Sequence, residues 1–376
     1  MKKRFFTYIG LLFTAVSCIY PFNPELPDTV EHALVVEGNI LLGDYSTAVF
    51  RYLQPLSGKV MGYPSGTAYI EDDGGTIYSG YTEADLYAQQ GYTLHFDTRN
   101  ASEDRLYRMV LTVDSHSYET DWIQPEVSPV ITGVRFTADK DNVHALVSFT
   151  DAPGGSGYSS VTYEETWHFH ADYLKTYYIN LATYEIIQIM GQPDYLRYWC
   201  WKSYESSTYS LVDSYDTHGH VEDFEFNSFL RTNNRNHDRY RVKVKVKSMP
   251  ETEYKFRKLL NDNDEIGGNL FTPEPGEIAG NLICSDDPSV KVYGYVGAAR
   301  VAEGYFYMDD SFYINYTYPL IKVESMEDYP RYLDMGYEPI TDYFYNGESI
   351  IGWGQKRCYD CTAAGGTQVE PENWEK

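Results

Sequence analysis

The sequence predicts a mainly β protein: an N-terminal β-sandwich of immunoglobulin-like or transthyretin-like type, followed by a larger β-rich domain with one short helix. Three observations carry this. Short stretches of alternating apolar and polar residues recur between turn residues, the period-two signature of half-buried strands. Tyrosine is abundant, at 38 of 376 residues, and aromatic side chains suit a pleated surface; the same abundance would also suit an aromatic binding surface. Only the stretch near residues 250–261 carries a clear set of helix start and stop signals.

Taken in order, the first residues read as targeting rather than fold. Lys2, Lys3 and Arg4 form a positive n-region. Phe5 to Phe13 is an apolar h-region too short to span a bilayer. Ala15-Val16-Ser17 supplies small residues before a cleavage point, so residues 1–17 are expected to be a signal peptide. The next residue, Cys18, is the expected lipidation site of a bacterial lipoprotein. Two or more acyl chains anchor stably, each buried CH₂ contributing about 0.8 kcal/mol. Ile19, where an Asp would favour inner-membrane retention, points to the outer membrane, and a surface position is open. Pro21, Pro24 and Pro27 make residues 18–31 an extended spacer.

Residues 32–125 read as the sandwich. Strands are expected at His32 to Ile40, Ser46 to Leu53, Thr67 to Ile70, Thr76 to Tyr78, Tyr92 to Phe96, Tyr107 to Val113 and Ser117 to Trp122. Asp73-Gly74-Gly75 supplies the positive φ of a tight hairpin. Pro125 to Pro129 reads as a linker, and residues 130–376 as the second domain. There Val143 to Thr150, Thr162 to Phe169 and Lys175 to Ile189 are strand-like. Residues 190–235 have poor periodicity and read as long loops.

The next stretch alternates strictly. Arg239, Arg241, Lys243, Lys245 and Lys247 share one face, while Tyr240, Val242, Val244 and Val246 turn to a core. The basic face suits edge protection or a ladder that docks an acidic partner. Ser248 then reads as a helix N-cap, with Pro250, Glu251 and Glu253 fitting a first turn.

Charge and cysteine usage bound the function. A net charge of −25 argues against nucleic acid and against anionic membrane bound by charge alone. No later run is long and apolar enough to be a transmembrane helix. Besides Cys18 there are Cys200, Cys284, Cys358 and Cys361, an even set that suggests disulfides in an oxidising compartment, with three pairings open. Cys358 and Cys361 form a CxxC that would close as a tight loop, act in redox chemistry, or join a four-thiol zinc site. His168 with His170, on one strand face, and His218 with His220, in a loop, are weak metal-ligand candidates; ordinary surface histidines explain them better, and no metal or cofactor is expected. Asp262-to-Pro273 begins like a calcium loop but ends on Pro273, where such a loop needs Glu. Hydrolase, metalloprotease and nucleotide-binding motifs are absent. Adjacent acids such as Glu164-Glu165 and Asp286-Asp287 face opposite ways on a strand, so they make no glycosidase pair.

The ordered set Leu34-Val35-Val36-Glu37-Gly38, Cys200-Trp201, Gly267-Gly268-Asn269-Leu270-Phe271-Thr272-Pro273-Glu274-Pro275, Gly280-Asn281-Leu282-Ile283, Val292-Tyr293-Gly294-Tyr295-Val296 and the Cys358-to-Trp374 tail resembles the Bacteroidota lipoproteins of domain-of-unknown-function family 4249. Ala363-Ala364 and Glu370 stand where that family usually has basic residues. The resemblance implies an outer-membrane lipoprotein encoded beside a TonB-dependent receptor, with no catalytic residues to carry over. The expectation is therefore a non-enzymatic accessory or substrate-binding partner of such a transporter, its small-molecule or oligomeric nutrient unnamed. A lipid-anchored surface hydrolase and an adhesive or structural surface module are the alternatives.

Overall fold

The computed structural model describes residues 33–53, 64–82, 92–190, 197–206, 209–265, 280–314, 316–372 and 374. The expected signal peptide, Cys18 and the 18–31 spacer lie outside these residues, as does the stretch from Gly267 to Pro275.

The chain is mainly β. The N-terminal region runs through β1 (Leu34–Leu41), β2 (Tyr45–Tyr52), β3 (Gly66–Asp72), β4 (Ile77–Ser79), β5 (Tyr92–Asp97), β6 (Tyr107–Val113) and β7 (His116–Thr120). These are the strands expected over 32–125, to within about two residues at their ends. Along β1, β2 and β6 burial alternates residue by residue. The inward set, including Val36, Ile40, Phe50, Met109 and Leu111, shares one core with Ile70, Leu94 and Phe96. Each such side chain contributes about 1.5–3 kcal/mol by leaving water. The turn after β3 is closed by its own acid: Asp72 Oδ1 accepts from the Gly74 and Thr76 amides at 3.0 and 2.8 Å.

The second region contains β8 (Val130–Ala138), β9 (Asn142–Thr150), β10 (Tyr158–His170), β11 (Tyr177–Ile179), β12 (Ile186–Gln188), β13 (Trp199–Glu205), β14 (Ser210–Asp213), β15 (His220–Leu230) and β16 (Arg239–Ser248). Helix α1 (Glu251–Glu265) comes next, then β17 (Leu282–Cys284), β18 (Val292–Ala299) and β19 (Ala302–Tyr307). The chain ends with β20 (Ile321–Lys322), the short helix α2 (Tyr329–Asp334), β21 (Tyr337–Tyr345) and β22 (Glu348–Gln355).

Two sheets face each other in this region. One has the order β13-β10-β16-β19, with β14 also paired to β10; the other is β15-β9-β8. Their shared core gathers Val143, Ala145, Val147 and Phe149 of β9 with Trp167 and Phe169 of β10, Phe226 of β15, and Tyr240, Val242, Val244 and Val246 of β16. A third, smaller sheet, β20-β22-β21, packs Leu320, Ile340 and Cys358 together.

Several expectations are corrected. Residues 190–235 are not mainly loop, since they include β13, β14 and β15. Register shifts between Val221 and Phe224 and between Glu225 and Asn227 break the alternation of β15, which hides it from a period-two reading. The expected second domain also does not keep all of 130–376. β18 pairs in parallel with β1, and β17 pairs with β7, so this returning segment completes the first sandwich. The resulting sheets are β18-β1-β2-β5 and β17-β7-β6-β3-β4. A second helix, α2, joins the single helix expected. Ser248 is not a helix cap: it ends β16, and its hydroxyl donates to Asp151 Oδ1 at 2.8 Å.

The basic strand is interior, not an edge. β16 lies between β10 and β19, so edge protection does not explain its cations. Lys243 pairs with Glu303 at 2.8 Å and Lys245 with Glu164. Arg239 lies over Tyr307 and Arg241 over Tyr305, with Trp374 beside both. Lys247 is buried, and its Nζ contacts Glu253 Oε1 of α1 at 2.7 Å and Asn39 Oδ1 of β1 at 2.5 Å. Arg257 donates to the same Glu253 oxygen at 2.7 Å. Burial alone would push Glu253 up, but Lys247 and Arg257 outweigh it and hold the carboxyl below its ordinary range. Burial lowers the Lys247 ammonium, which faces Arg257 as well as Glu253.

Lys247→Met is expected to cost about 3–5 kcal/mol, because it leaves a buried carboxylate short of a partner. Lys245→Met opens a partly exposed pair and should cost about 1 kcal/mol or less. Urea unfolding of both variants measures the difference, and equal losses would remove the network from this structural role. Because Glu253 titrates lower when folded, its contribution is full above the unfolded Glu range and fades as pH falls through the folded value.

Candidate functional site: a polar cleft beside the disulfide

β10 ends at His170, and beyond it the chain opens a cleft of about 340 Å³. Its walls include His170, Asp172, Asn233, Asn234, His237, Tyr316, Tyr318 and Arg357, closed on one side by Ala363 and Ala364. Four chain segments meet there. The β10 end gives His170 and Asp172. A 3-10 turn at Asn234–Asn236, capped by the Asn233 side chain on the Arg235 amide, presents His237. The 316–318 segment gives two tyrosines whose rings meet edge-on at 5.7 Å. The tail gives Arg357, whose guanidinium lies over Tyr318 at 4.9 Å.

The tail is held by a covalent tie. Cys200 of β13 is bonded to Cys361 across 161 residues. The tight CxxC loop does not form: Cys358 and Cys361 do not close on each other, and Cys284 and Cys358 are free and buried. Cys284 belongs to the first core and Cys358 to the smallest, so the four thiols do not share a zinc site. Main-chain bonds between Trp201 and Thr367, both 2.7 Å, continue the tie beyond the disulfide. Closing so long a loop typically contributes about 2–5 kcal/mol.

The predicted histidine pairs fare differently. His168 and His170 do sit together, both against Trp199, with ring centroids at 4.8 and 5.1 Å. His168 Nδ1 is taken by Asp238 at 2.5 Å and His170 Nδ1 by the Ala171 carbonyl at 2.7 Å. The partner that sequence spacing did not offer is His237, whose ring lies 4.9 Å from that of His170. His237 Nδ1 contacts the His170 carbonyl at 3.2 Å. His218 lies in a turn at φ 53°, and His220 Nδ1 contacts Thr150 Oγ1 at 3.2 Å. Among the described residues neither predicted pair belongs to a three-donor metal cluster; the group that does is His116, Cys284 and Asp286.

Two groups in the cleft are perturbed. Burial pushes the Asp172 carboxyl up to about 6, against the Tyr318 amide and Arg357, which pull it down. Burial and the neighbouring His170 lower His237, so its ring is neutral at pH 7. Such a cleft offers an acid that titrates near pH 6, a neutral imidazole, a cation, amides and aromatic faces to one small polar molecule.

A raised folded-state pKa means that Asp172 binds its proton more tightly when folded. Its contribution is therefore favourable at low pH and lost as pH rises from about 4 through about 6. Asp172→Asn should leave stability at pH 4 nearly unchanged and raise it at pH 7.5, by no more than about 1–2 kcal/mol because solvent still reaches the group. Thermal unfolding at the two pH values tests this, and an equal shift at both would show that the titration plays no part.

No curated protein matches the sequence. Among solved structures, a DUF4785 family protein from Legionella pneumophila aligns at 12% identity with a TM-score of 0.18, covering 56% of this chain and 51% of its own. This chain thus spans about half the length of that protein. A putative carbohydrate binding protein from Bacteroides uniformis aligns at 10% identity with a TM-score of 0.14, covering 57% of this chain and 89% of its own. Likenesses this weak bear neither on fold nor on function. The family model described as Domain of unknown function (DUF4249) matches residues 19–304, and the chain belongs to that family.

Proposed function

We propose that this chain is a non-enzymatic, lipid-anchored outer-membrane protein that serves as an accessory or substrate-binding partner of a TonB-dependent transporter, and that the cleft beside the disulfide receives its ligand. The observation that carries the ligand site is the cleft itself: Asp172, Arg357, two amides and two tyrosines converge on a volume suited to one small polar molecule. The positive, apolar and small-residue order before Cys18 supports the anchor. The family resemblance supports the transporter as partner.

One observation favours a second reading, a lipid-anchored hydrolase. Asp172 carries a raised pKa in the same cleft as the neutral His237, the kind of pairing a general acid and base use near neutral pH.

Mild-detergent purification of the lipidated protein from its native membrane, with mass spectrometry of the co-purifying proteins, separates these readings. The transporter reading expects a stoichiometric TonB-dependent barrel. Isolation of the protein alone, together with turnover of a glycan or ester panel that disappears in Asp172→Asn, would replace it with the hydrolase. Isolation alone without turnover, and with binding to a matrix polymer, would favour an adhesive module.

A further inference from the structure

The pairing of β17 with β7 brings three donor side chains to one point. Cys284, at the end of β17, lies opposite Tyr118 of β7, two residues from His116. Antiparallel partners point to the same face, so Cys284 and His116 are diagonal neighbours on it. Asp286 then folds back on the ladder, its Oδ1 accepting from the Ser117 amide at 3.1 Å. Cys284 Sγ lies 3.0 Å from Asp286 Oδ1 and 3.9 Å from His116 Nδ1. His116 Nδ1 lies 3.4 Å from Asp286 Oδ2.

This is not a nucleophile relay. In such a relay the imidazole bridges thiol and carboxylate through its two nitrogens, whereas here Nδ1 faces both. The spacing instead approaches that of a coordination site. Zinc at ordinary bond lengths to sulfur, nitrogen and oxygen places its ligand atoms about 3.4–3.6 Å apart; here sulfur and nitrogen are 3.9 Å apart, and one oxygen of Asp286 lies 3.0 Å from the sulfur while the other lies 3.4 Å from the nitrogen, so a small rotation of the carboxylate sets one oxygen as the third donor.

We propose that His116, Cys284 and Asp286 form a binding site for a zinc-class divalent cation, with water or a small ligand in the fourth position. The donor set, one thiolate, one imidazole and one carboxylate, is one that zinc and cobalt(II) accept. Cys284 is buried, while His116 and Asp286 are partly exposed, so the ion has a route in from solvent. Cys284 also borders a surface cleft of about 530 Å³ with Glu119 and Tyr293. On binding, the Sγ–H bond breaks, an Sγ–metal bond forms and the proton leaves to solvent, so apparent affinity rises with pH. The ion would fasten the returning 282–299 segment to β7 and thereby close the first sandwich.

The test is a Co²⁺ titration of the full chain in detergent, followed by displacement with Zn²⁺. One equivalent should give thiolate-to-cobalt charge-transfer absorption that Zn²⁺ removes. The band should vanish in Cys284→Ser, and affinity should fall by about tenfold or more in His116→Ala and in Asp286→Asn. Because His116 and Asp286 are partly exposed, these two variants keep the core, which circular dichroism verifies. His168→Ala should change nothing. No charge-transfer band, a band unchanged in His116→Ala and Asp286→Asn, or a band lost only in His168→Ala would each overturn the site.

Discussion

The buried Glu253 carboxylate is a polar point at which the two sandwiches are joined. It sits on the first turn of α1, receives Lys247 from β16, and shares that lysine with Asn39 of β1. β16 and α1, consecutive in the chain, and β1, whose Asn39 lies 208 residues before Lys247, thus place polar groups in one dry space. Removing charges from water costs several kcal/mol per ion before pairing offsets it, so the network contributes little net stability by existing. What it contributes is discrimination: any other placement of α1 leaves a buried charge unpaired. Gly297 of β18 belongs to the same constraint, because a Cβ there would collide with Glu253 Oε2 and Lys247 Nζ.

The network explains why the first sandwich is closed by a distant segment. α1 comes directly after β16 and reaches Asn39 through Arg257, which sets it beside the first sandwich, where β17 and β18 pair with β7 and β1. β18 runs parallel to β1 along its whole length. Gly294 has a positive φ of 109°, and a side chain there would meet the Val36 carbonyl, so the close approach of the two strands depends on glycine. A parallel pair between the start and the last third of the chain has high contact order, which slows folding. The sheet β18-β1-β2-β5 is complete only once β18 has paired with β1.

Much of the fold was legible because strand periodicity is local. The strict alternation from Arg239 to Lys247 locates β16, and Asp-Gly-Gly locates the β3–β4 hairpin. What was hidden is non-local. Nothing in the β16 pattern says which strands flank it, so its cations suggested an edge or a docking ladder, while the acids that meet them come from β10, β19 and α1. β15 escaped because its bulges break the alternation. The cysteines fixed parity but not partners, and the short Cys358–Cys361 spacing pointed to a local loop where the bond spans the region. In the cleft, His170 was visible as half of a pair. His237, Asp172 and Arg357 carry no motif and become neighbours only through the 3-10 turn and the tied tail.

Charge distribution gives the final constraint on what this molecule can bind. The chain has 55 acids against 30 lysines and arginines, and the lysines of its most basic strand are matched inside the fold by Glu303, Glu164 and Glu253. The acid excess is therefore left to the surface, which repels anions at long range. In the cleft beside the disulfide, Arg357 faces Asp172, and Ala363 and Ala364 add no charge. A cleft with one cation, one acid that holds its proton below about pH 6 and two tyrosines favours a neutral polar ligand over a strongly anionic one. Its polarity is balanced within the site, so recognition rests on hydrogen bonds and ring contact rather than on net charge.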